Sequence, residues 1–286
     1  MKVLFKSIVV VLIAVALVTG FIMFEVHGAT SNTSNNKMVS TTDPKYVGSV
    51  YIYNVSALDT FISSYGYNVS NITDVFGEGV VHIIDSNFTK GTLGYIQVKG
   101  PEASFIFYEL NSTLVQHGFK EGSYKNLIYY YANKTAVGFD GHYIYFAHDN
   151  VSTSYAINML ISLYNSPKVL PTPVSGLILK GYIKNTSFEE FAKGEQIILK
   201  ANSTSANFTR LEKVFHFFLF ETHKYEVSGH VILRNSTQVV YELQITYKGQ
   251  SLYAVVGIMK GNNGITYGDM IISPQQINYS EIYNYM

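Results

Sequence analysis

The chain has 286 residues, no cysteine, 20 basic and 20 acidic side chains, and only 14% charged residues against 24 tyrosines and 18 phenylalanines. A formal charge of zero leaves no excess of basic side chains to displace counterions from phosphates, which argues against a nucleic-acid partner. Without cysteine there are no disulfides and no thiol nucleophile, and stability rests on core packing, for which the chain is long enough.

Lys2 and Lys6 precede an apolar run from Ser7 to Phe24, closed by Glu25. As a helix it spans about 27 Å, close to the ~30 Å hydrocarbon core and longer than the usual core of a cleaved signal. The pattern predicts a signal anchor over 1–28 that contacts the membrane through residues 7–24, with the remainder of a single-pass protein outside the cell. Cleavage after Gly28, giving a secreted chain, is the alternative. Residues 29–45 are rich in Ser, Thr and Asn and read as a stalk.

A first module is expected over 46–166. Val47 to Tyr53 alternates as a strand, and Ser56-Ala57-Leu58-Asp59 reads as the capping box of a short helix with Leu58, Phe61, Ile62 and Tyr65 on one face. Strands are predicted at Val80 to Asp85, Leu93 to Lys99 and Ser104 to Leu110, then a short helix near Leu114. Leu127 to Tyr131 and Ala136 to Phe139 read as extended. Asp140-Gly141 turns the chain into a partner strand, His142 to Ala147, and a helix capped by Ser152 follows.

Pro167, Pro171 and Pro173 mark a linker over 167–174. The second module, 175–273, opens with a strand from Gly176 to Ile183 and a Ser187-Phe188-Glu189-Glu190 capping box for a brief helix. Phe208, Leu211, Val214, Phe215 and Phe218 recur at helical spacing. From Glu226 a four-stranded meander is predicted, with turns near Asn235-Ser236, Lys248-Gly249 and Gly261 to Gly264, before a tail over 274–286. The fold class expected is α+β: two tandem antiparallel-sheet modules with packed helices behind an N-terminal membrane helix or signal.

The two modules resemble each other locally. Tyr51-Ile52-Tyr53-Asn54-Val55-Ser56 parallels Tyr182-Ile183-Lys184-Asn185-Thr186-Ser187, and Ile96-Gln97-Val98-Lys99-Gly100 parallels Ile245-Thr246-Tyr247-Lys248-Gly249. The intervals between these segments differ, so a repeat has to be decided by strand order.

Thirteen of the 21 asparagines begin Asn-x-Ser/Thr triplets, where random order would give roughly three. They are Asn32, Asn54, Asn68, Asn71, Asn87, Asn111, Asn133, Asn150, Asn185, Asn202, Asn207, Asn235 and Asn278; Asn165 is blocked by Pro167. All thirteen are candidate acceptors for N-linked sugar. Absent cysteine, scarce charge, abundant Tyr, Asn, Ser and Thr, and these dense acceptors resemble the exported surface glycoproteins of archaea from hot, acidic habitats. The resemblance covers composition and the N-terminal segment only, and implies a carbohydrate-coated protein that tolerates acid.

No zinc His-Glu-x-x-His, nucleophile elbow, phosphate loop or calcium loop is present, so no catalytic residue, metal or cofactor is assigned. His216, His223 and His230, with Glu221 among them, are the only clustered histidines. Glu221 and His223 would share a strand face and could bind zinc, but His216 falls on the preceding helix, and histidines at helix ends and on strand surfaces are the default. His142, His148 and Asp149 flank a hairpin strand and carry no stronger signal. Tyr51, Tyr53, Tyr95, Tyr108, Tyr129, Tyr130, Tyr131, Tyr143 and Tyr145 lie on predicted strands, where half-buried packing accounts for them and sugar or protein contact is the functional reading. The expected function is a membrane-anchored, extracytoplasmic N-glycosylated protein with a structural or binding role at the cell envelope, its partner an envelope protein or glycan. A secreted hydrolase of polysaccharide or peptide, and a filament subunit processed near Lys6-Ser7, are the alternatives.

Overall fold

In the computed structural model, the described residues are 46–285 except 65–74, 86–89, 102, 169, 171–175, 205–207, 209–225 and 248–249. They build one 14-stranded sheet, antiparallel at every pairing. The strands are β1 (Tyr46–Ile52), β2 (Phe76–Asp85), β3 (Lys90–Val98), β4 (Lys120–Tyr124), β5 (Leu127–Ala132), β6 (Thr135–Phe139) and β7 (Tyr143–Asp149), then β8 (Leu177–Ile183), β9 (Thr186–Lys193), β10 (Gln196–Ser203), β11 (Glu226–Arg234), β12 (Gln238–Tyr247), β13 (Gln250–Lys260) and β14 (Thr266–Ser273). Three α-helices accompany them: α1 (Asp59–Ser64), α2 (Ala103–Gln116) and α3 (Thr153–Asn165), with 3-10 turns at Val55–Leu58 and Tyr279–Asn284.

The expected α+β class, two antiparallel-sheet modules with packed helices, is therefore corrected: the described residues are mostly one antiparallel sheet. Strands hold 56% of the described residues, and the helices are short. Two segments account for much of the difference in detail. Ser187 to Glu190, expected to cap a helix, lies within β9, where burial alternates and Phe188 and Glu190 both point inward. Ser104 to Leu110, expected as a strand, lies within α2, where Ala103, Ile106 and Phe107 form a helical stripe against Val98 and Ile144. Strand β4 had no apolar alternation to announce it, and β10 was likewise not foreseen.

The transmembrane helix and single-pass membrane location also require correction. The segment 7–24 lies outside the described residues, and among the described residues no helix is long and apolar enough to cross a membrane. The helix expected from Phe208 to Phe218 likewise lies outside them, Phe208 apart, as do Pro171 and Pro173 of the linker.

Strand order is β11-β12-β13-β14-β10-β9-β8-β1-β2-β3-β7-β6-β5-β4. Read outward from the centre, both halves follow one plan: three strands in sequence, a jump to the outer edge, and four strands returning inward. A two-fold axis normal to the sheet, between β1 and β8, interchanges them. The sequence parallel that takes Tyr51 to Tyr182 shifts the chain by 131 positions, which takes Val50 to Gly181, and these two are paired across the central ladder. The second parallel fails this test, because Ile96 lies on the third strand of its half and Ile245 on the fifth.

Opposed residues share a face of a sheet, so the registers define two sides. The front carries Tyr145, Tyr95, Val80, Tyr51, Lys180, Glu189, Lys200 and Asp269 in one row across β7, β3, β2, β1, β8, β9, β10 and β14. Helix α3 closes the front of the first half by packing Ala156, Met159, Leu160 and Leu163 on Leu127, Tyr95 and Tyr145. In the second half the same place in the chain order, after the last strand, is taken by the 3-10 turn, whose Ile282 packs with Ile277 on Val240, Val255 and Ile271. Helix α2 covers the back of the first half through Phe107, whose ring meets Phe139 at 5.5 Å.

Candidate functional site

Of the thirteen acceptor asparagines, Asn32, Asn68, Asn71, Asn87 and Asn207 lie outside the described residues. The other eight are placed, and seven of them are exposed: Asn54, Asn133, Asn150, Asn185, Asn202, Asn235 and Asn278. Asn111 is half-buried on α2. Several acceptors have the local geometry that short polar side chains impose on turns. The Asn235 Oδ1 accepts from the backbone N–H groups of Thr237 (2.9 Å) and Gln238 (2.8 Å) and from the Thr237 hydroxyl (3.2 Å). At Asn278 the Ser280 hydroxyl and N–H donate to Oδ1 at 2.9 and 3.0 Å, and at Asn54 the Ser56 hydroxyl donates at 2.7 Å. In each, the third residue of the triplet holds the amide oxygen while the nitrogen, the atom to which N-linked sugar would attach, stays outside these bonds.

Alternating strand directions then sort the acceptors. Asn133 follows β5, Asn150 follows β7, Asn185 follows β8, Asn202 lies at the finish of β10, and Asn235 follows β11. Those five strands all run the same way, so all five acceptors lie on one rim of the sheet. Local bonds tie the rim together. Asn150 Oδ1 accepts from Lys90 N at 3.0 Å, Lys134 Nζ donates to Asn150 O at 2.6 Å, and Ser187 Oγ donates to Asn202 Oδ1 at 2.8 Å.

A cavity of about 350 Å³ opens on the front of the second half, lined by Ser228, His230, Glu242, Gln244, Tyr253 and Gln276 among others. His230 faces Glu242 across β11 and β12 with Nε2 3.5 Å from Oε2, and Gln276 Nε2 approaches Glu242 Oε1 at 3.5 Å. Gln244 Nε2 donates to Ser251 Oγ at 3.0 Å. Ser228 and His230 sit near the start of β11 while Asn235 follows its finish, which separates cavity from rim by about 20 Å of extended chain.

The sequence had singled out His230 only as a member of a histidine cluster; His216, Glu221 and His223 lie outside the described residues. Among the described residues no group of three or more His, Asp and Glu could hold a metal. The other cavity residues were missed, although polar side chains at every second position of β11 and β12, Ser228 and His230 then Glu242 and Gln244, could have signalled an uncovered face.

Perturbed carboxylates often mark catalysis, and two occur here. Burial raises both Glu190 and Asp269 to about 7, with Lys200 partly offsetting the rise at Asp269. Glu190 is opposite Leu199 and Asp269 opposite Lys200, so they point to opposite sides of the sheet and do not face each other across a cleft. Elsewhere His82 stacks on Tyr46 at 4.1 Å and shares a 2.8 Å hydrogen bond with Ser49 Oγ; burial lowers its pKa. His142 is an exposed turn residue whose N–H donates to Asp140, and His148 meets the Thr135 hydroxyl at 3.0 Å. Asp149 is fully buried and its Oδ2 accepts from the N–H groups of Val151 and Ser152. The strand tyrosines divide between core and surface. Tyr53, Tyr95, Tyr130 and Tyr145 are buried, Tyr51, Tyr129, Tyr131 and Tyr143 half-buried, and Tyr108 is exposed on α2.

No family model matches the chain, and no curated protein does. Solved structures give distant likenesses. Crystal form I of TP0453 is 13% identical with a TM-score of 0.35, the alignment covering 68% of this chain and 90% of that one. The type VI secretion immunity protein TplEi of Pseudomonas aeruginosa, complexed with "L" peptide, is 12% identical with a TM-score of 0.29, covering 70% and 86%. A chain of the Tle4-Tli4 complex is 11% identical with a TM-score of 0.26, covering 69% and 85%. Likeness at this level carries no functional inference.

Proposed function

We propose that the chain is an extracytoplasmic N-glycosylated protein with a binding or structural role at the cell envelope, its partner an envelope protein or glycan. The observation that supports this best is the placement of Asn133, Asn150, Asn185, Asn202 and Asn235 along one rim. Sugar attached there projects from the finish of strands and from turns, so it leaves the ladder hydrogen bonds intact. Carbohydrate there would crowd one rim, about 20 Å of extended chain from the cavity residues Ser228 and His230. Asn54, which follows the oppositely directed β1, is an exposed acceptor on the other rim, so the five clustered sites set a density of sugar and not a division into coated and bare ends.

Glycopeptide mass spectrometry of native protein tests the reading. Modified peptides are expected at the five rim asparagines, with the half-buried Asn111 least occupied. Native peptides that carry no sugar at any of the eight described acceptors would overturn it.

A further inference from the structure

We infer that the front cavity of the second half is a binding site for a neutral saccharide of one or two rings, in a place that the first half fills with its own helix. This rests on the binding role proposed above but not on the chain's own glycosylation.

The two halves make the comparison internal. Strands β5 and β12 are each the fifth strand of their half. On β5 the front row is Leu127, Tyr129 and Tyr131, covered by the 13-residue helix α3. On β12 the front row is Val240, Glu242 and Gln244. The six-residue 3-10 turn that closes this half reaches Val240 and leaves Glu242 and Gln244 to line the cavity. Among the described residues, one half closes with apolar side chains where the other presents polar ones.

The lining selects a ligand class. Among the described residues it contains no lysine or arginine, so a phosphate or sulfate finds there no cation of fixed charge. The one carboxylate and one imidazole that the described residues supply are too few for a structural metal. What remains is an acceptor in Glu242, amides in Gln244 and Gln276, a hydroxyl in Ser228 and a half-buried ring in Tyr253. Hydroxyl groups of a sugar donate to a carboxylate and exchange bonds with amides, while its C–H face lies on an aromatic ring. Both contacts to Glu242, from His230 and from Gln276, are 3.5 Å long and therefore weak, so closer ligand hydroxyls displace them at little cost. The volume, about 350 Å³, lies at the lower end of the range for small-molecule sites.

The test uses the full chain made in a host that adds no N-linked sugar, with methyl α-D-mannopyranoside, methyl β-D-glucopyranoside and N,N′-diacetylchitobiose as probes in saturation-transfer NMR titrations. Saturable binding of at least one probe is expected, weakened about tenfold or more by Glu242→Gln and by Gln244→Ala, with unchanged thermal melts. Tyr253→Ala serves as a third variant if its melt shows that it folds. No saturable binding by any probe, binding unaltered in both Glu242→Gln and Gln244→Ala, or saturation by sodium sulfate or calcium chloride instead would each overturn the inference. Because the protein tested carries no sugar, failure here leaves the glycopeptide result untouched, and the reverse holds.

Discussion

Glu190 is 2% exposed on the back of β9, and burial alone drives its pKa from 4.5 to about 7. A carboxyl that binds its proton more tightly when folded adds stability that is fully present below its unfolded pKa and lost as pH rises through about 7. Asp269 acts in the same direction, and His82, which burial holds neutral, acts in the other. Glu190→Gln is thus expected to flatten the pH dependence. The melting temperature of the parent, relative to the variant, should fall by several degrees between about pH 4.5 and 7, measured by calorimetry. An equal pH profile for parent and variant would show that Glu190 binds its proton alike in the folded and unfolded chain, and would overturn the expectation. A carboxyl buried in this way favours the fold at acid pH, an effect separate from the scarcity of charge in the composition. Lys168 shows the complementary economy for a cation. Its Nζ donates to the carbonyls of Leu163, Tyr164 and Ser166 at 2.8, 3.0 and 2.7 Å and lies over the Tyr95 and Tyr145 rings, and burial lowers its pKa. Carbonyls at a helix C-terminus and aromatic faces hold the cation, and among the described residues no carboxylate is in hydrogen-bond contact with it.

Helix α3 shows why an element forms where it does. Ser152 caps it by accepting from Tyr155 N at 3.1 Å, and Asp149 fixes the approach through the Val151 and Ser152 N–H groups. Ala156, Met159, Leu160 and Leu163 then recur on the sheet side, with Leu160 fully buried. Leu160→Ala removes a side chain enclosed on all sides and is expected to cost about 2–5 kcal/mol, whereas Ser152→Ala should cost about 1 kcal/mol. Urea unfolding of the two variants checks the order; a larger loss for Ser152→Ala would mean that capping, not packing, holds α3 in place. Helix α2 obeys the same rule from a less favourable sequence. Phe105, Phe107 and Tyr108 are residues that fit strands, yet Ala103, Ile106 and Phe107 meet the back of the sheet at helical spacing and Phe105 and Tyr108 are left to solvent.

The whole molecule turns on the β1–β8 ladder, which joins two halves of like strand order. Gly181 lies at its centre, opposite Val50. A Cβ there would stand 2.6 Å from the Phe188 ring and 2.7 Å from the Ser49 carbonyl oxygen, so any side chain forces the central strands apart. Gly181→Val is expected to destabilise by more than about 2 kcal/mol and to lower the melting temperature of both halves together. Calorimetry of the parent should give one cooperative transition. If the variant splits it into two, each half folds without the ladder.

Composition alone determined two things here: with no cysteine there is no disulfide, and the chain is dense in Asn-x-Ser/Thr triplets. Local patterns also placed β1, β5, β6, β8, the Asp140-Gly141 turn and the Ser152 cap, because turn chemistry and period-two alternation act over a few residues. Only tertiary structure decided that Ser187 to Glu190 is strand and Ser104 to Leu110 helix, since each segment's propensity is outweighed by the surface it packs on. Strand order, which set the two-fold plan, gathered five acceptors on one rim and opened a polar cavity beside a short 3-10 turn, depends on pairings between residues far apart in the chain. Those contacts leave no trace in the spacing of neighbours, because a strand pairs through backbone groups that every residue shares.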